Sequence, residues 1–310
     1  MRHFISLADL TSEQFRDYLE LAVDLKEEWK DGGNRPLLEG QTLGMIFQKP
    51  SLRTRASFEM GMIHLGGQAL YFSPFEIRLG ERESVADVSR VFSRYVDGIM
   101  ARVFAHSDIL TLAEYSQAPV INGLSDYNHP CQALSDFLTI VENKGWDLTG
   151  RKLAFLGDGN NVSTSLLFGA ALMGMDYAIA SPGGYELSEE VWNEGERLAA
   201  SSGSDLSATN DPVEAAADAD VVYTDVWASM GEEEEAEERA RIFEPFQVNE
   251  ALLKEAKPDV IAMHCLPAHR GQEITDDVCD GPHSVLWDQA ENRMHAQKAI
   301  LVRLMADDDA

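Results

Sequence analysis

Short apolar runs recur along this chain, and an amphipathic stretch follows nearly every one. "QTLGMIF", "QALYF", "DGIMARV" and "APVING" come in the first half, and "RKLAFLGDG", "DYAIAS", "DADVVYTD", "PDVIAMHC" and "HSVLWDQ" after Asp147. Each run is long enough for a strand buried on both faces and too short for a helix. The segments between them repeat at helical spacing. Phe15, Leu19, Ala22 and Leu25 share one face behind a cap at Thr11 or Ser12, and Ala56, Met60, Ile63 and His64 repeat likewise before Gly66-Gly67. "HPCQALSDFLTIVENKG" has proline at its start and glycine after its end, as helices do. Strands alternating with helices imply parallel sheets covered on both faces. The rhythm stops and restarts once. The chain is therefore expected to be α/β, with two doubly wound parallel-sheet domains joined by interdomain helices. The expected domains are 1–146 and 147–288, bridged by the 129–144 helix, with a last helix 289–310 packing back on the first. The 310-residue length suits two cores of ordinary size.

Charge narrows the partners. The formal net charge is −28, from 53 acidic and 25 basic side chains. Such a surface repels nucleic acid and anionic membrane. At 45% hydrophobic content the chain still has the material for folded cores. A folded protein this acidic repels itself unless salt screens it, and at about 1 M salt the Debye length is only about 3 Å. A salt-rich cytoplasm, as in extreme halophiles, is the setting this composition suits. The three cysteines, Cys131, Cys265 and Cys279, are odd in number and widely spaced, which points to a reducing compartment rather than a disulfide framework. The N-terminal "MRHFISLADLTSEQF" has no apolar signal region, and no run approaches the ~20 residues of a membrane helix. A cytoplasmic protein is expected.

Several strand ends carry chemistry. In "PSLRTR", Ser51, Arg53, Thr54 and Arg55 enter a helix where free N–H groups, hydroxyls and the dipole favour an anion, and arginine forks suit phosphate. A serine cap followed by surface arginines is the plainer alternative. No Walker pattern is present. His129 and Gln132 of "HPCQ" share one helical turn and can grip a small group with donor and acceptor character, such as a carbamoyl or amide. Arg102 ends "MAR", and ligands bind at strand ends in open α/β sheets. "GDGNNVSTS" lacks the third glycine of a dinucleotide turn, so Asn160 and Asn161 read as caps or as a carboxylate-binding helix start. Asp225 of "TDVWASMG" can hold an amine. The run "GEEEEAEERAR" reads as a solvated helix start. "MHCLPAHRG" alone suggests a zinc site or a nucleophilic thiol about equally, but no second ligand cluster with zinc spacing exists. His264 and Cys265 point apart if the strand continues, and Leu266-Pro267 is the one bond there open to a cis form.

In order, "FQKPSLRTRASFEMGMIHLGG", "DGIMAR", "HPCQALSDFLTI", "GDGNNV", "DVWASMGEEEE" and "HCLPAHRG" resemble the aspartate/ornithine carbamoyltransferase family over nearly the whole chain. "DVWxSMG" and "HCLP" match its ornithine branch. The resemblance implies carbamoyl transfer from carbamoyl phosphate to L-ornithine, giving L-citrulline and phosphate in arginine metabolism. It assigns carbamoyl phosphate to Ser51, Leu52, Arg53, Thr54, Arg78, Arg102, His129, Gln132, Cys265, Leu266 and Arg293, with Arg102, His129 and Cys265 catalytic. It assigns ornithine to Asn161, Asp225, Ser229 and Met230. Leu52 stands where the family usually has threonine, which keeps a backbone contact and loses a hydroxyl. Arg78 stands where relatives often carry glutamine or histidine, on a loop that reaches a neighbouring subunit. The resemblance further implies a homotrimer or an assembly of trimers, with no cofactor and no metal. His264 reads as structural, and His269 and Arg270 as lining a loop over ornithine. A related amine such as putrescine or N-acetylornithine is the near rival substrate. A nucleotide-binding oxidoreductase built on "GDGNN" and a non-catalytic subunit that keeps only the fold are the rivals of other classes.

Overall fold

The computed structural model describes residues 2–228 and 235–306. The chain forms two compact units, residues 1–138 with 291–310, and residues 139–290. The first contains α1 (Ser12–Lys30), β1 (Thr42–Phe47), α2 (Leu52–His64), β2 (Gln68–Phe72), α3 (Pro74–Ile77), α4 (Val85–Phe92), β3 (Gly98–Arg102), α5 (His106–Tyr115) and β4 (Val120–Leu124). Helix α6 (Pro130–Lys144) runs from the first unit into the second. The second contains β5 (Lys152–Leu156), α7 (Asn161–Met173), β6 (Asp176–Ala180), α8 (Glu189–Ser202), β7 (Leu206–Thr209), α9 (Pro212–Ala216), β8 (Val221–Thr224), α10 (Ala236–Phe243), α11 (Glu250–Leu253), β9 (Ile261–His264) and α12 (Asp276–Cys279). Helix α13 (Leu286–Met305) returns to the first unit.

Both sheets are wholly parallel. The first has the order β2-β1-β3-β4 and the second β7-β6-β5-β8-β9. Strand alternation sorts side chains onto two covered faces. In the first sheet Ile46, Ile99, Ala101 and Val120 pack with Val88, Phe92, Ile109 and Leu112 of α4 and α5. A Cβ on Gly98 would meet the end of the Met305 side chain, so α13 packs against the sheet there. In the second sheet Ala154, Ala178, Val222 and Ala262 pack against α9, α11 and α12. On its other face Phe155 and Tyr223 stack with ring centroids 5.8 Å apart. Thr11 caps α1 in a reciprocal capping box with Gln14, a device worth about 1 kcal/mol.

In each sheet the strand order reverses once, between β1 and β3 and between β5 and β8. Chains diverge there to opposite faces and leave a crevice at the carboxyl ends of the strands. Two sequence expectations need correction. "HSVLWDQ" is not a strand: only Ser284 bridges Ala262, and from Leu286 the run is the start of α13, with Asp288 in the first turn. β7 was not expected, because its half-exposed "LSAT" lacks the apolar signature of the inner strands. Among the described residues no helix is long and apolar enough to cross a membrane.

Candidate active site

Each reversal point gathers polar side chains. In the first unit β1 ends at Phe47, and Ser51 caps α2, its hydroxyl accepting the Thr54 N–H at 3.3 Å. The other N–H groups of that first turn have no partner within the helix. The Thr54 hydroxyl is fully buried. It accepts from Arg293 Nη2 at 2.9 Å and, at the long end of the range, from Arg102 Nη1 at 3.4 Å. Arg102 sits where the β3–β4 register shifts, between Ala101 and Arg102. Arg293 comes from α13, 239 residues along the chain from Thr54. Three elements distant in sequence thus meet on one hydroxyl.

His129 precedes Pro130 at the head of α6, its carbonyl accepting the N–H groups of Gln132 and Ala133. Burial, then the charges of Arg293 and Arg102, holds its imidazole well below the usual range, so the ring is neutral at physiological pH. Gln132 is 1% exposed and donates from Nε2 to Asp136 Oδ1 at 2.8 Å, while its buried Oε1 has no protein partner among the described residues. Cys131 between them is a core residue. Burial pushes its thiol up to about 12, and Sγ donates to Asn122 O.

The other residues assigned to this half are more dispersed. Arg53 is half-buried in the first turn of α2. Leu52 is 79% exposed, so only its backbone serves that turn. Arg78 closes α3 in a left-handed conformation (φ 43°, ψ 57°) with an exposed side chain. Among the described residues no hydrogen bond joins Arg78 to Thr54, Arg102 or Arg293.

In the second unit, the β5–β8 reversal holds Asn160 and Asp225. Asn160 is the cap of α7, with Oδ1 accepting from the Val162 and Ser163 N–H groups. Its Nδ2 donates to Asp225 Oδ2 at 2.9 Å. Asp225, 8% exposed, also accepts on Oδ1 from Cys265 Sγ at 2.8 Å and from the Val226 N–H at 2.8 Å. Asn160, which sequence reading took as a cap, is thus also a partner of Asp225. Asn161 is half-buried and begins the helix. Ser229 and Met230 lie outside the described residues.

The "MHCLPAHRG" stretch takes a definite shape. Strand β9 ends at His264, so alternation does not separate His264 from Cys265. One ligand atom each from Asp225, His264 and Cys265 lies within 4.8 Å of the others. The donor set does not suit an ion, because His264 is spent at both nitrogens. Nδ1 accepts the Leu266 N–H at 2.8 Å, which puts the proton on Nε2, 3.1 Å from Glu273 Oε1. Glu273, fully buried, also accepts the His269 N–H, and sequence reading missed it. A carboxylate nine residues from a histidine, across a loop, carries no local signature. His264 is accordingly structural: it fixes the backbone on which Cys265 and Leu266 are carried. Leu266-Pro267 is cis, with Leu266 at φ 60°. Arg270 is bound to Asp276 at 2.8 Å and Asp280 at 2.6 Å, and those pairs engage the guanidinium that sequence reading set over ornithine.

The sequence and fold are similar to those of known proteins. Residues 2–142 match the carbamoyl-P binding domain of aspartate/ornithine carbamoyltransferase, and residues 149–304 match its Asp/Orn binding domain. A Pyrococcus furiosus protein named "Ornithine carbamoyltransferase, anabolic" is 56% identical over 304 residues, covering 98% of this chain and 96% of the relative. An ornithine carbamoyltransferase of Methanopyrus kandleri is 52% identical, covering 98% and 97%. The solved structure of the Pyrococcus furiosus ornithine carbamoyltransferase superposes with a TM-score of 0.95 over 98% of this chain and 97% of that one, at 56% identity. A mitochondrial ornithine carbamoyltransferase from Coccidioides immitis does so at 0.91 and 36% identity, over 98% and 97%.

Proposed function

Since this chain belongs to the aspartate/ornithine carbamoyltransferase family, we propose that it transfers the carbamoyl group of carbamoyl phosphate to the side-chain amine of L-ornithine, giving L-citrulline and phosphate. The observation that carries this reading is the convergence of Arg102 and Arg293 on Thr54 at one strand reversal. Ser51, Leu52, Arg53 and Thr54 take the phosphate on the first turn of α2, with Arg102 and Arg293 supplying charge. His129, held neutral, donates a hydrogen bond to the carbamoyl oxygen without adding a charge. Gln132 Oε1 suits the carbamoyl N–H, since a buried acceptor needs a donor.

In the second unit Asp225 takes an ammonium group of ornithine, and Asn161, Ser229 and Met230 complete the amino-acid grip. The attacking amine is mostly protonated at neutral pH, its pKa near ~10.4 as in lysine. It loses one proton, and its lone pair then attacks the carbamoyl carbon. Negative charge builds on the carbonyl oxygen, and the C–O bond breaks with its electron pair leaving on phosphate. The nitrogen sheds its second proton as citrulline forms. Cys265, hydrogen-bonded to Asp225, stands where a proton can be shared. The arginines and His129 supply preorganised stabilisation of the developing charge, and no covalent intermediate is required. Leu266 offers its carbonyl to the carbamoyl amide.

The net charge of −28 supports a salt-rich cytoplasm as the working environment. The exposed apolar side chains of Met60 and Ile63 on α2 support assembly into a homotrimer, to which Arg78 contributes its loop. A citrulline assay with carbamoyl phosphate and ornithine, run across a salt series with sedimentation at each point, tests all three. Citrulline formation rising with salt in a trimer is expected. No product at any salt refutes the activity. Equal activity and melting temperature at low and multimolar salt refute the salt requirement.

A further inference from the structure

We infer that Arg239 and Asp158 form a positioning pair that sets the ornithine specificity of the second unit, an inference that rests on the ornithine reading above. Arg239 lies in the first turns of α10 and is 6% exposed. Its Nη1 donates to Asp158 Oδ2 at 2.8 Å and to the Trp227 carbonyl at 2.9 Å. Its guanidinium lies 4.8 Å from the ring centroid of Tyr185, within cation–π range. One guanidinium therefore ties together the turn after β5, the exit from β8 and the loop after β6. All three lie at the carboxyl ends of strands, around the reversal where Asn160 and Asp225 sit.

The ion pair is mechanically connected to those two residues. Asp158 faces Arg239 with its carboxylate, and its backbone carbonyl accepts from the Asn160 N–H at 2.8 Å and the Ser163 hydroxyl at 3.2 Å. Asn160 in turn donates to Asp225, which accepts the Cys265 thiol. The turn has little slack on its other side. A Cβ on Gly159 would stand 2.4 Å from the backbone of Glu186 and Leu187, and the Gly159 N–H donates to Tyr185 O at 2.7 Å. Arg239 therefore acts through two intermediaries: it fixes Asp158, Asp158 fixes Asn160, and Asn160 orients the carboxylate that meets the substrate amine. Lysine is a poor replacement, because it lacks the planar guanidinium that lies over the Tyr185 ring while one of its nitrogens serves a carboxylate and a carbonyl.

Steady-state kinetics of Arg239→Lys, Arg239→Gln, Asp158→Asn and the Arg239→Gln/Asp158→Asn double variant test this. The ornithine KM is expected to rise about tenfold or more with some loss of kcat, since misplacement of about 1 Å can cost 10²-fold. The carbamoyl phosphate KM should stay within about twofold. The double variant should be no worse than the poorer single one, as expected of two residues acting as a unit. Arg239→Lys keeps the charge, so a folded Arg239→Lys, checked by its melting temperature, decides the matter where Arg239→Gln fails to fold. Equal rises in both KM values, or a lowered melting temperature with an unchanged ornithine KM, would overturn the inference and leave a purely structural salt bridge. Absence of citrulline from the wild-type protein would instead sink the functional reading on which it rests.

Discussion

The two strand reversals solve opposite charge problems with similar backbones. In the first unit two guanidiniums converge on one neutral hydroxyl, that of Thr54. In the second, three neutral donors converge on one carboxylate: the Asn160 amide, the Cys265 thiol and the Val226 N–H meet Asp225. A hydroxyl orients a guanidinium without cancelling its charge, and neutral donors do the same for a carboxylate. Each arrangement is thus rigid and still attractive to a substrate group of opposite sign. A direct arginine–aspartate pair at either place would be just as well ordered and largely spent. The second unit does have such a pair, Arg239 with Asp158, but it reaches Asp225 only through Asn160.

The largest effect that would break this comparison comes from the cationic side. In the proposed mechanism Arg102→Ala removes a donor aimed at developing charge, and losses of about 10²- to 10³-fold in kcat are typical of that change. A wild-type rate of citrulline formation from Arg102→Ala would end the assignment. On the acidic side Asp225→Asn keeps the shape and removes the charge, so kcat/KM for ornithine should fall by about 10²-fold while carbamoyl phosphate binding, measured by titration, stays intact. Cys265→Ala should raise the ornithine KM and lower kcat by about tenfold, because the proposed mechanism has the thiol orient Asp225 and share a proton without forming a bond to substrate. A carbamoyl-thioester trapped on Cys265 would overturn direct transfer. Thr54→Val sharpens the comparison, since it leaves two arginines without their shared acceptor. A cost of about 1–3 kcal/mol is expected, as lower thermal stability and a weaker affinity for phosphate by calorimetry.

Sequence reading reached different depths in these two regions, for physical reasons. The alternation of buried strands and helices made the α/β class and the parallel sheets legible, because inner strands cannot hide their composition. It failed at the edges. β7 is half-exposed and polar, and "HSVLWDQ" is apolar enough for a strand yet has room for only one bridge before α13 begins. Ser51, Thr54 and Arg102 were legible as chemistry, being hydroxyls and cations where strands end. Arg293 was not: nothing local marks one arginine of a C-terminal helix as a partner of Thr54, and only family resemblance pointed to it. In the second unit one helical position separates Asn160, whose side chain caps α7 and meets Asp225, from Asn161, which begins the helix, and the motif marks the place without dividing the two roles. Glu273, Asp158 and Arg239 act through residues far along the chain, and motif reading tracks neighbours in sequence.

The smallest expected effect concerns stability, and it too separates the two units. His129 and His295 in the first unit are both held below the ordinary imidazole pKa of 6.5, chiefly by burial, His295 to about 3. A histidine lowered in the folded state stays neutral there while the unfolded chain takes up a proton, so stability falls as pH drops below 6.5. In the second unit burial pushes Asp220 up, but hydrogen bonds from Lys257, the Lys152 N–H and Arg151 outweigh it and hold its pKa below 3.8. That contribution is present above 3.8 and is lost only as pH falls further. Between about pH 6.5 and 4 these groups should therefore weaken the first unit before the second. Amide hydrogen exchange at pH 7.5 and 5, at constant high salt, would read this directly. Protection should drop in β1, β3 and α13 and hold in β5 and β8. His129→Gln and His295→Gln should each flatten the acid limb of the melting curve, because an uncharged amide has no proton to gain. Uniform loss of protection across both sheets would show that these two histidines do not govern the acid response.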